Sequence, residues 1–267
     1  MTAKRENKVQ RLTFSGHLDV FRKMLLRIIA VSGVLSVLIF INKQTTFDIL
    51  FAPREWNFVT YRLIENLLQI CCIDFHFQPY HVKMISTDLS AQFMTHLSTS
   101  LYLGLLIASP YIMFELFKFV LPALYEKERK SSVLVAVRMY VLFAMGVLMN
   151  YFVIFPVSFR FLGTYSVDSS VESTITLASY IKTFSTLTFV LGLIFQLPIV
   201  SYILAKMNVI KAEFLSHYRK HAFIIILLVS AIITPPDLFT LFLVTIPMYL
   251  LYEICIIIAK RVRKTEE

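Results

Sequence analysis

Apolar residues along this chain fall into six long blocks separated by polar stretches. Most of the blocks are as long as a membrane-spanning helix. Inside lipid a helix is the default, because every backbone amide needs an internal partner. The pattern predicts an all-α membrane protein with six transmembrane helices in one curved, cup-like bundle. The predicted spans are residues 24–41, 93–121, 132–159, 182–206, 218–234 and 238–259.

The fifth block is shorter than the others. It holds 15 uncharged residues, 222–236, or about 23 Å of helix at the usual rise per residue, whereas a bilayer core is about 30 Å thick. A Pro235-Pro236-Asp237 turn then leads into the sixth block. We expect helices five and six to be short and to form a hairpin that locally thins the membrane.

Proline occurs inside four of the blocks and predicts bends there, because proline cannot complete the helical hydrogen-bond ladder. These prolines are Pro110, Pro156, Pro198 and Pro247.

The longest polar connection, residues 42–92, contains apolar residues at helical spacing. They predict an amphipathic helix that either lies on the membrane surface or packs on the ends of the spans. These residues are Trp56, Val59, Leu63, Leu67 and Ile70.

Composition supports the membrane interpretation. Apolar residues make up 57% of the chain and charged residues 16%, against about 45–50% and about 25% in average soluble domains. The mean hydropathy is +0.71. These values exclude a disordered chain and an ordinary soluble enzyme. The three cysteines form neither a disulfide framework nor a metal-site spacing.

The distribution of charge predicts the orientation. The net charge is +9, which in a soluble protein would suggest nucleic acid. Here 18 of the 26 Lys and Arg residues lie in the N-terminal arm, two alternate loops and the C-terminal tail, and six lie in the opposite loops. The positive-inside rule places both termini in the cytoplasm, and no nucleic-acid partner is expected.

Motifs for bond-making chemistry are absent from the sequence. There is no nucleotide-binding G-x-x-x-x-G-K-[ST] loop, no H-E-x-x-H and no G-x-S-x-G. We therefore expect no enzymatic activity, no cofactor and no metal.

Three charged residues lie inside the predicted spans, where charge is costly and points to function. Glu115, Arg138 and Glu253 each lie seven residues from a predicted cytoplasmic edge, or about 10 Å deep. Equal depth predicts a Glu115–Arg138 contact, with Glu253 as a competing partner. The alternative is that each side chain extends separately to the interface. Gln196 is a further polar residue near the middle of its span.

Local strings resemble the TatC family, the multi-spanning receptor of the twin-arginine protein translocase. The resemblance covers all six spans in order, and LPALYEKER and TPPD are its most specific strings. The matching segments are FVLPALYEKERK at 119–130, TPPDLF at 234–239, IPMYLLYE at 246–253, HLDVFR at 17–22, Ser109-Pro110, Phe155-Pro156 and FQLP at 195–198.

The resemblance implies a receptor for twin-arginine signal peptides. Such a protein lies in the cytoplasmic (inner) membrane of a bacterium and works with single-span TatA/TatB-type subunits, membrane lipid and further copies of itself. It exports folded proteins using the proton-motive force. The residues implied for signal-peptide binding are Glu128, Phe119, Asp19, Arg22 and Lys127, and Asp237 matches the acid of the outer hairpin.

Two departures from the family pattern affect the implied sites. Val20 stands where the N-terminal signature usually has a second signal-binding glutamate. The adjacent Asp19 points about 100° away on a helix. Inside the membrane, the family commonly has Glu at the position of Gln196 and Gln at that of Glu115. We expect a polar patch for partner docking around these two residues, with its carboxylate moved between helices.

A small-solute secondary transporter is the alternative function. It would need broken helices around a midplane site and internal repeats, and no repeat between the two halves is evident in the sequence.

Overall fold

Helices occupy all six apolar blocks. The structure is a computed structural model that describes residues 14–70, 77–80, 82–120, 132–166, 168 and 174–266. The helices are α1 (Phe14–Ile41), α2 (Lys43–Phe51), α3 (Val59–Ile70), α4 (Ala91–Ile107), α5 (Ser109–Val120), α6 (Ser132–Met149), α7 (Phe155–Thr164), α8 (Leu177–Ile194), α9 (Leu197–Lys206), α10 (Ala212–His217), α11 (Arg219–Ile233) and α12 (Leu238–Glu266).

Four helical segments of the described chain are long and apolar enough to cross a membrane. They are Leu18–Ile41, Val135–Thr164, Leu177–Lys206 and Leu238–Val262. The helix pair α4 and α5 forms a fifth span if its two parts, which meet at 55°, are taken together. Helix α11 has 15 residues and is short, as the sequence predicts. The prediction of a short sixth helix is wrong, because α12 continues through the basic tail for 29 residues.

Three of the four prolines follow breaks in the spans. Pro110 is the second residue of α5, Pro156 the second of α7 and Pro198 the second of α9. Proline fits the first turn of a helix, where its missing N–H is not needed. A π-helical turn at Asn150–Ile154 precedes α7. The predicted bend is confirmed at Pro110, where α4 and α5 are bent by 55°, whereas α12 is continuous through Pro247.

The spans pack in an order that leaves α8 at the centre. Helix α1 lies along α4, α4 and α6 both pack on α8, and α12 packs on α9 and α11. The core contains edge-to-face aromatic pairs, in which the Phe155 ring centroid lies 5.0 Å from that of Tyr180 and 4.9 Å from that of Phe184. Such pairs add about 0.5–1.5 kcal/mol to the area that they bury.

The two ends of the bundle differ. We call the end with the C-terminus of α1 and the N-termini of α4, α8 and α12 the sheet end. The opposite end, with the N-terminus of α1 and the C-termini of α5 and α12, is the tail end. At the sheet end β1 (Lys83–Ile85) pairs in parallel with β2 (Thr174–Thr176), from Lys83 opposite Thr174 to Ile85 opposite Thr176. This pairing joins the first loop of the sheet end to the second.

The predicted amphipathic helix is α3. It packs on α7 through Tyr61, which is 2% exposed, and Phe58, the residue just before the helix, packs on the π-helical turn and is 7% exposed. The predicted apolar stripe lies on the other face, where Val59, Leu63 and Ile70 are at least half exposed. Helix α3 therefore contacts the spans through one face and leaves Val59, Leu63 and Ile70 uncovered.

Candidate functional site

The start of α1 meets the end of α5 at the tail end. The Phe21 and Phe119 ring centroids lie 5.6 Å apart at a tilt of 55°. Asp19 and Arg22, beside Phe21 on α1, are exposed. The chain from Phe119 leads directly into the predicted signal-binding loop, and Lys127 and Glu128 of that loop lie outside the described residues. The structure thus brings three of the five predicted signal-binding residues to one end of the bundle.

The buried carboxylate of Glu115 pairs with an arginine of α1. Nη1 of Arg27 donates to Oε1 and Oε2 of Glu115 at 3.1 and 3.3 Å. The Tyr111 hydroxyl, one turn earlier on α5, donates to Oε1 at 3.2 Å. Positions i and i+4 lie on one helix face, so α5 presents Tyr111 and Glu115 together towards α1.

The predicted Glu115–Arg138 contact is wrong. Helix α6 does pack on α5, but Arg138 lies on an exposed face of α6. In the described part of the chain Arg138 has no salt-bridge partner. Loop connectivity correctly predicted that the two helices are neighbours, but it did not determine which way Arg138 points.

Glu253 has its own arginine and does not compete for Arg138. Nε and Nη2 of Arg219 lie 2.9 and 3.0 Å from the two carboxylate oxygens, and this forked geometry joins α11 to α12. The Tyr249 hydroxyl, again four residues earlier, donates to Oε1 at 3.2 Å. The same Tyr-x-x-x-Glu spacing therefore recurs at two sites, each with an arginine from a neighbouring helix.

Gln196 lies at the break between α8 and α9. Its side chain is 8% exposed, and Nε2 donates to the Met139 carbonyl of α6 at 3.0 Å. Its Oε1 is buried without a hydrogen-bond partner among the described residues. Within the same residues no hydrogen bond joins Gln196 to Glu115, so each makes its polar contacts on its own.

Asp237 forms the turn that starts α12. Its Oδ1 accepts from the Thr240 backbone N–H at 2.6 Å, and its own N–H donates to the Pro235 carbonyl at 2.7 Å. A carboxylate at this position satisfies a free helix N–H and complements the helix dipole. The acid of the predicted outer hairpin is therefore a helix cap.

Sequence reasoning missed two polar centres, around Asn150 and Arg160, and it also missed the ion-pair partner of Glu115. Asn150, fully buried in the π-helical turn, donates from Nδ2 to the Thr188 hydroxyl of α8 at 2.8 Å. It is the one amide within the uncharged stretch 139–159, which was a usable signal. Arg27 was also overlooked as a partner, although it is the arginine within the first apolar block.

The second missed centre is a cage of aromatic rings around Arg160 at the sheet end. The guanidinium carbon lies 4.4, 4.7 and 5.1 Å from the ring centroids of Phe77, Tyr80 and Tyr61. Nη2 donates to the Gln78 carbonyl at 2.9 Å. Burial raises the pKa of Tyr61 and of Tyr80, so both rings stay neutral beside the cation. The cage fastens residues 77–80 to α7 by cation–π contacts.

The chain is similar to proteins of one family. A family model described as the Sec-independent protein translocase protein (TatC) matches residues 16–247. The TatC protein of Blattabacterium sp. subsp. Periplaneta americana is 33% identical over 263 residues, which cover 97% of this chain and 99% of that protein. The TatC protein of Escherichia coli K12 is 31% identical over 239 residues, 89% of this chain and 84% of that protein.

A solved crystal structure of the twin-arginine translocase receptor TatC has the same fold. Its TM-score is 0.74 at 29% identity, covering 92% of this chain and 99% of that chain. The fold and these similarities define a multi-spanning subunit of a Sec-independent protein translocase. The chain belongs to the TatC family. The alternative of a small-solute transporter is not supported.

Proposed function

We propose that this chain is the receptor subunit that recognises twin-arginine signal peptides at the tail end of the bundle. The observation that supports this most directly is the Phe21–Phe119 ring contact, at 5.6 Å. It holds the start of α1, with Asp19 and Arg22, beside the root of the loop that carries Lys127 and Glu128. The proposal places the tail end, and with it both termini, in the cytoplasm of a bacterium.

Recognition of the signal peptide requires a binding site for guanidinium groups. A carboxylate binds arginine through two parallel hydrogen bonds, which lysine cannot form. Glu128 supplies one carboxylate, and Asp19 supplies a second where Val20 replaces the usual glutamate. Because Lys127 and Arg22 keep the surroundings positive, these carboxylates distinguish arginine from lysine by hydrogen-bond geometry rather than by net charge. The Phe21–Phe119 pair offers an aromatic surface to the peptide beside its arginines.

The proposed role is recognition and scaffolding, with no bond-making step. Single-span TatA/TatB-type subunits, and other copies of this chain, would dock along the spans. Gln196 is the proposed contact for such a partner, because its buried Oε1 has no partner in the described residues and polar contacts hold helices together in lipid. The proton-motive force supplies the energy for moving folded cargo through the inner membrane.

Moving the carboxylate from position 115 to position 196, by Glu115→Gln together with Gln196→Glu, tests this docking proposal. Glu115→Gln removes the carboxylate that Arg27 and Tyr111 hold, and we expect it to impair transport. Adding Gln196→Glu to that variant should restore part of the transport by returning a carboxylate to the family position. Transport that stays at the level of Glu115→Gln would contradict the exchange.

Binding of signal peptide to the purified protein in detergent tests the receptor proposal. A twin-arginine peptide should bind tightly, and its twin-lysine version at least tenfold more weakly. Glu128→Ala should remove the discrimination between them, and Asp19→Asn should weaken binding of the twin-arginine peptide. Glu126→Ala is the matched control in the same loop and should bind as the wild type does. Equal binding of the two peptides by the wild type would refute the proposal.

A further inference from the structure

An open cavity of about 850 Å³ lies at the sheet end, where α1 ends and α4 begins. Helix α2 forms one wall, with Lys43 and Asp48, and α4 forms another, with Gln92 and His96. The apolar part of the lining consists of Ile41, Phe47, Phe51 and Leu177. A concave site with a few polar groups on an apolar wall is the usual form of a ligand site.

The two charged residues of this cavity are available to a ligand. Neither Lys43 nor Asp48 has a salt-bridge partner in the part of the chain that the structure describes. They lie five residues apart on α2, about 7.5 Å along the helix axis and about 140° around it, and both line the cavity. One positive residue, one negative residue and the Gln92 amide therefore line the same cavity.

The wall behind these groups is aromatic. The His96 ring stacks on Phe40 at 4.1 Å between centroids and lies edge-on to Phe47 at 5.6 Å. His96 is 9% exposed, and its Nε2 is buried without a hydrogen-bond partner among the described residues. The wall thus retains unused hydrogen-bonding capacity, which is uncommon for a buried polar atom.

The position of the cavity indicates what kind of molecule reaches it. The spans α1 and α4 lie in the membrane. They expose Ile41 of the cavity lining at 71%, and Leu38 and Phe93 outside the lining at 51% and 58%. Acyl chains cover such residues in a bilayer. The cavity itself lies where the apolar span ends, which is the depth of the lipid headgroups.

We propose that this cavity binds the headgroup of a zwitterionic phospholipid that carries a primary ammonium, a phosphoethanolamine. Its phosphate pairs with Lys43 and the Gln92 amide, and its ammonium donates to Asp48 beside the Phe47 ring. An anionic headgroup would leave Asp48 unpaired next to added negative charge. A choline headgroup has no N–H to donate to Asp48. The site is separate from signal-peptide recognition and does not depend on that proposal.

Native mass spectrometry of the full chain, released from detergent with lipids of identical acyl chains, tests the site. The wild type should retain phosphatidylethanolamine over both phosphatidylcholine and phosphatidylglycerol. Lys43→Gln should weaken retention about fivefold, the effect of losing one partly solvated ion pair. Asp48→Asn should abolish the preference for ethanolamine over choline.

Matched controls are Lys83→Gln and Asp88→Asn, exposed charges of the same end outside the cavity lining. Both should keep the wild-type preference, and all four variants should unfold at the wild-type temperature without added lipid. Equal retention of the three lipids, preference for phosphatidylglycerol, or preference preserved in Asp48→Asn would overturn the proposal. Displacement of the lipid by soluble glycerophosphoethanolamine at the same concentration would show a solute site instead, and would also overturn it.

Discussion

The two partners of the Arg27–Glu115 pair differ in exposure, since the glutamate side chain is 7% exposed and the arginine side chain 49%. A buried charge that loses its partner costs more than an exposed one. Arg27→Gln should therefore lower the free energy of unfolding by about 2 kcal/mol. Glu115→Gln should lower it by less than about 1 kcal/mol, because Arg27 can extend to water.

Unfolding in mixed detergent micelles measures this difference. The double variant should resemble Glu115→Gln, because removing the carboxylate also removes the unpaired charge that Arg27→Gln leaves. Arg138→Gln is the control, since Arg138 has no salt-bridge partner in the described residues, and it should change little. An equal loss of unfolding free energy in Arg27→Gln and Glu115→Gln would contradict this prediction, because the unpaired buried glutamate would then cost no more than the unpaired exposed arginine.

Hydropathy identified the charged residues that lie within the apolar spans, but it did not predict which residues they contact. Glu115 and Glu253 do form ion pairs within the bundle, as their burial in apolar blocks suggested. Depth along the membrane is only one coordinate, however. The side chain also has a direction around its helix, which turns by about 100° per residue, and Arg138 points away from α5. The Tyr-x-x-x-Glu spacing was visible in the sequence, but its meaning depended on knowing the neighbouring arginine.

At the scale of the elements, the contact between α6 and α8 depends on two glycines, Gly146 of α6 and Gly192 of α8. A Cβ at Gly146 would lie 2.6 Å from the Leu191 carbonyl oxygen, which is backbone and cannot move aside. Gly146→Ala should therefore push the helices apart and destabilise the protein by about 1–3 kcal/mol. Gln196, which reaches Met139 across the same contact, should lose its hydrogen bond to α6.

Gly33→Ala is the matched control for that prediction. A Cβ at Gly33 would meet nothing within 4 Å, and alanine stabilises a helix by about 0.5–1 kcal/mol relative to glycine. The apparent melting temperature in detergent should fall for Gly146→Ala and rise slightly for Gly33→Ala. A Gly146→Ala variant as stable as the wild type would contradict the close approach of α6 and α8.

The apolar stripe of α3 should lie in the membrane interface. Trp56, the only tryptophan of the chain, is the first residue of that stripe and is 42% exposed, and Leu63 is 56% exposed. Tryptophan prefers the headgroup region, so brominated lipids should quench Trp56 fluorescence. Leu63→Glu should reduce that quenching, because a charged residue weakens insertion of the apolar face. Glu65→Gln, another substitution on α3, should leave it unchanged, and quenching that persists in Leu63→Glu would place the stripe against protein.

At the scale of the whole molecule, periodicity and proline predicted the helices and three of their breaks. These two signals could not predict the β1–β2 pair, because two strands of three residues, 91 positions apart, leave no pattern in the sequence. The length of α12 was underestimated for a related reason. Hydropathy marks where the chain leaves the apolar phase, but a helix ends only where a capping or breaking residue stops it. The residues after Ala259 contain neither glycine nor proline.

The positive-inside rule predicts that the two ends of the bundle face opposite sides of the membrane. Single cysteines in a background without Cys71, Cys72 and Cys255 test this in intact cells. Thr87→Cys, exposed at the sheet end beyond β1, should react with a reagent that cannot cross the inner membrane. Lys264→Cys in the basic tail should react only after the membrane is opened, because the basic ends stay in the cytoplasm. Labelling of Lys264→Cys but not of Thr87→Cys in intact cells would reverse the orientation and would move the proposed signal-peptide site to the wrong side of the membrane. Equal labelling of both would show that the short helix α11 does not cross the bilayer, since five spans place the two ends of the chain on opposite sides.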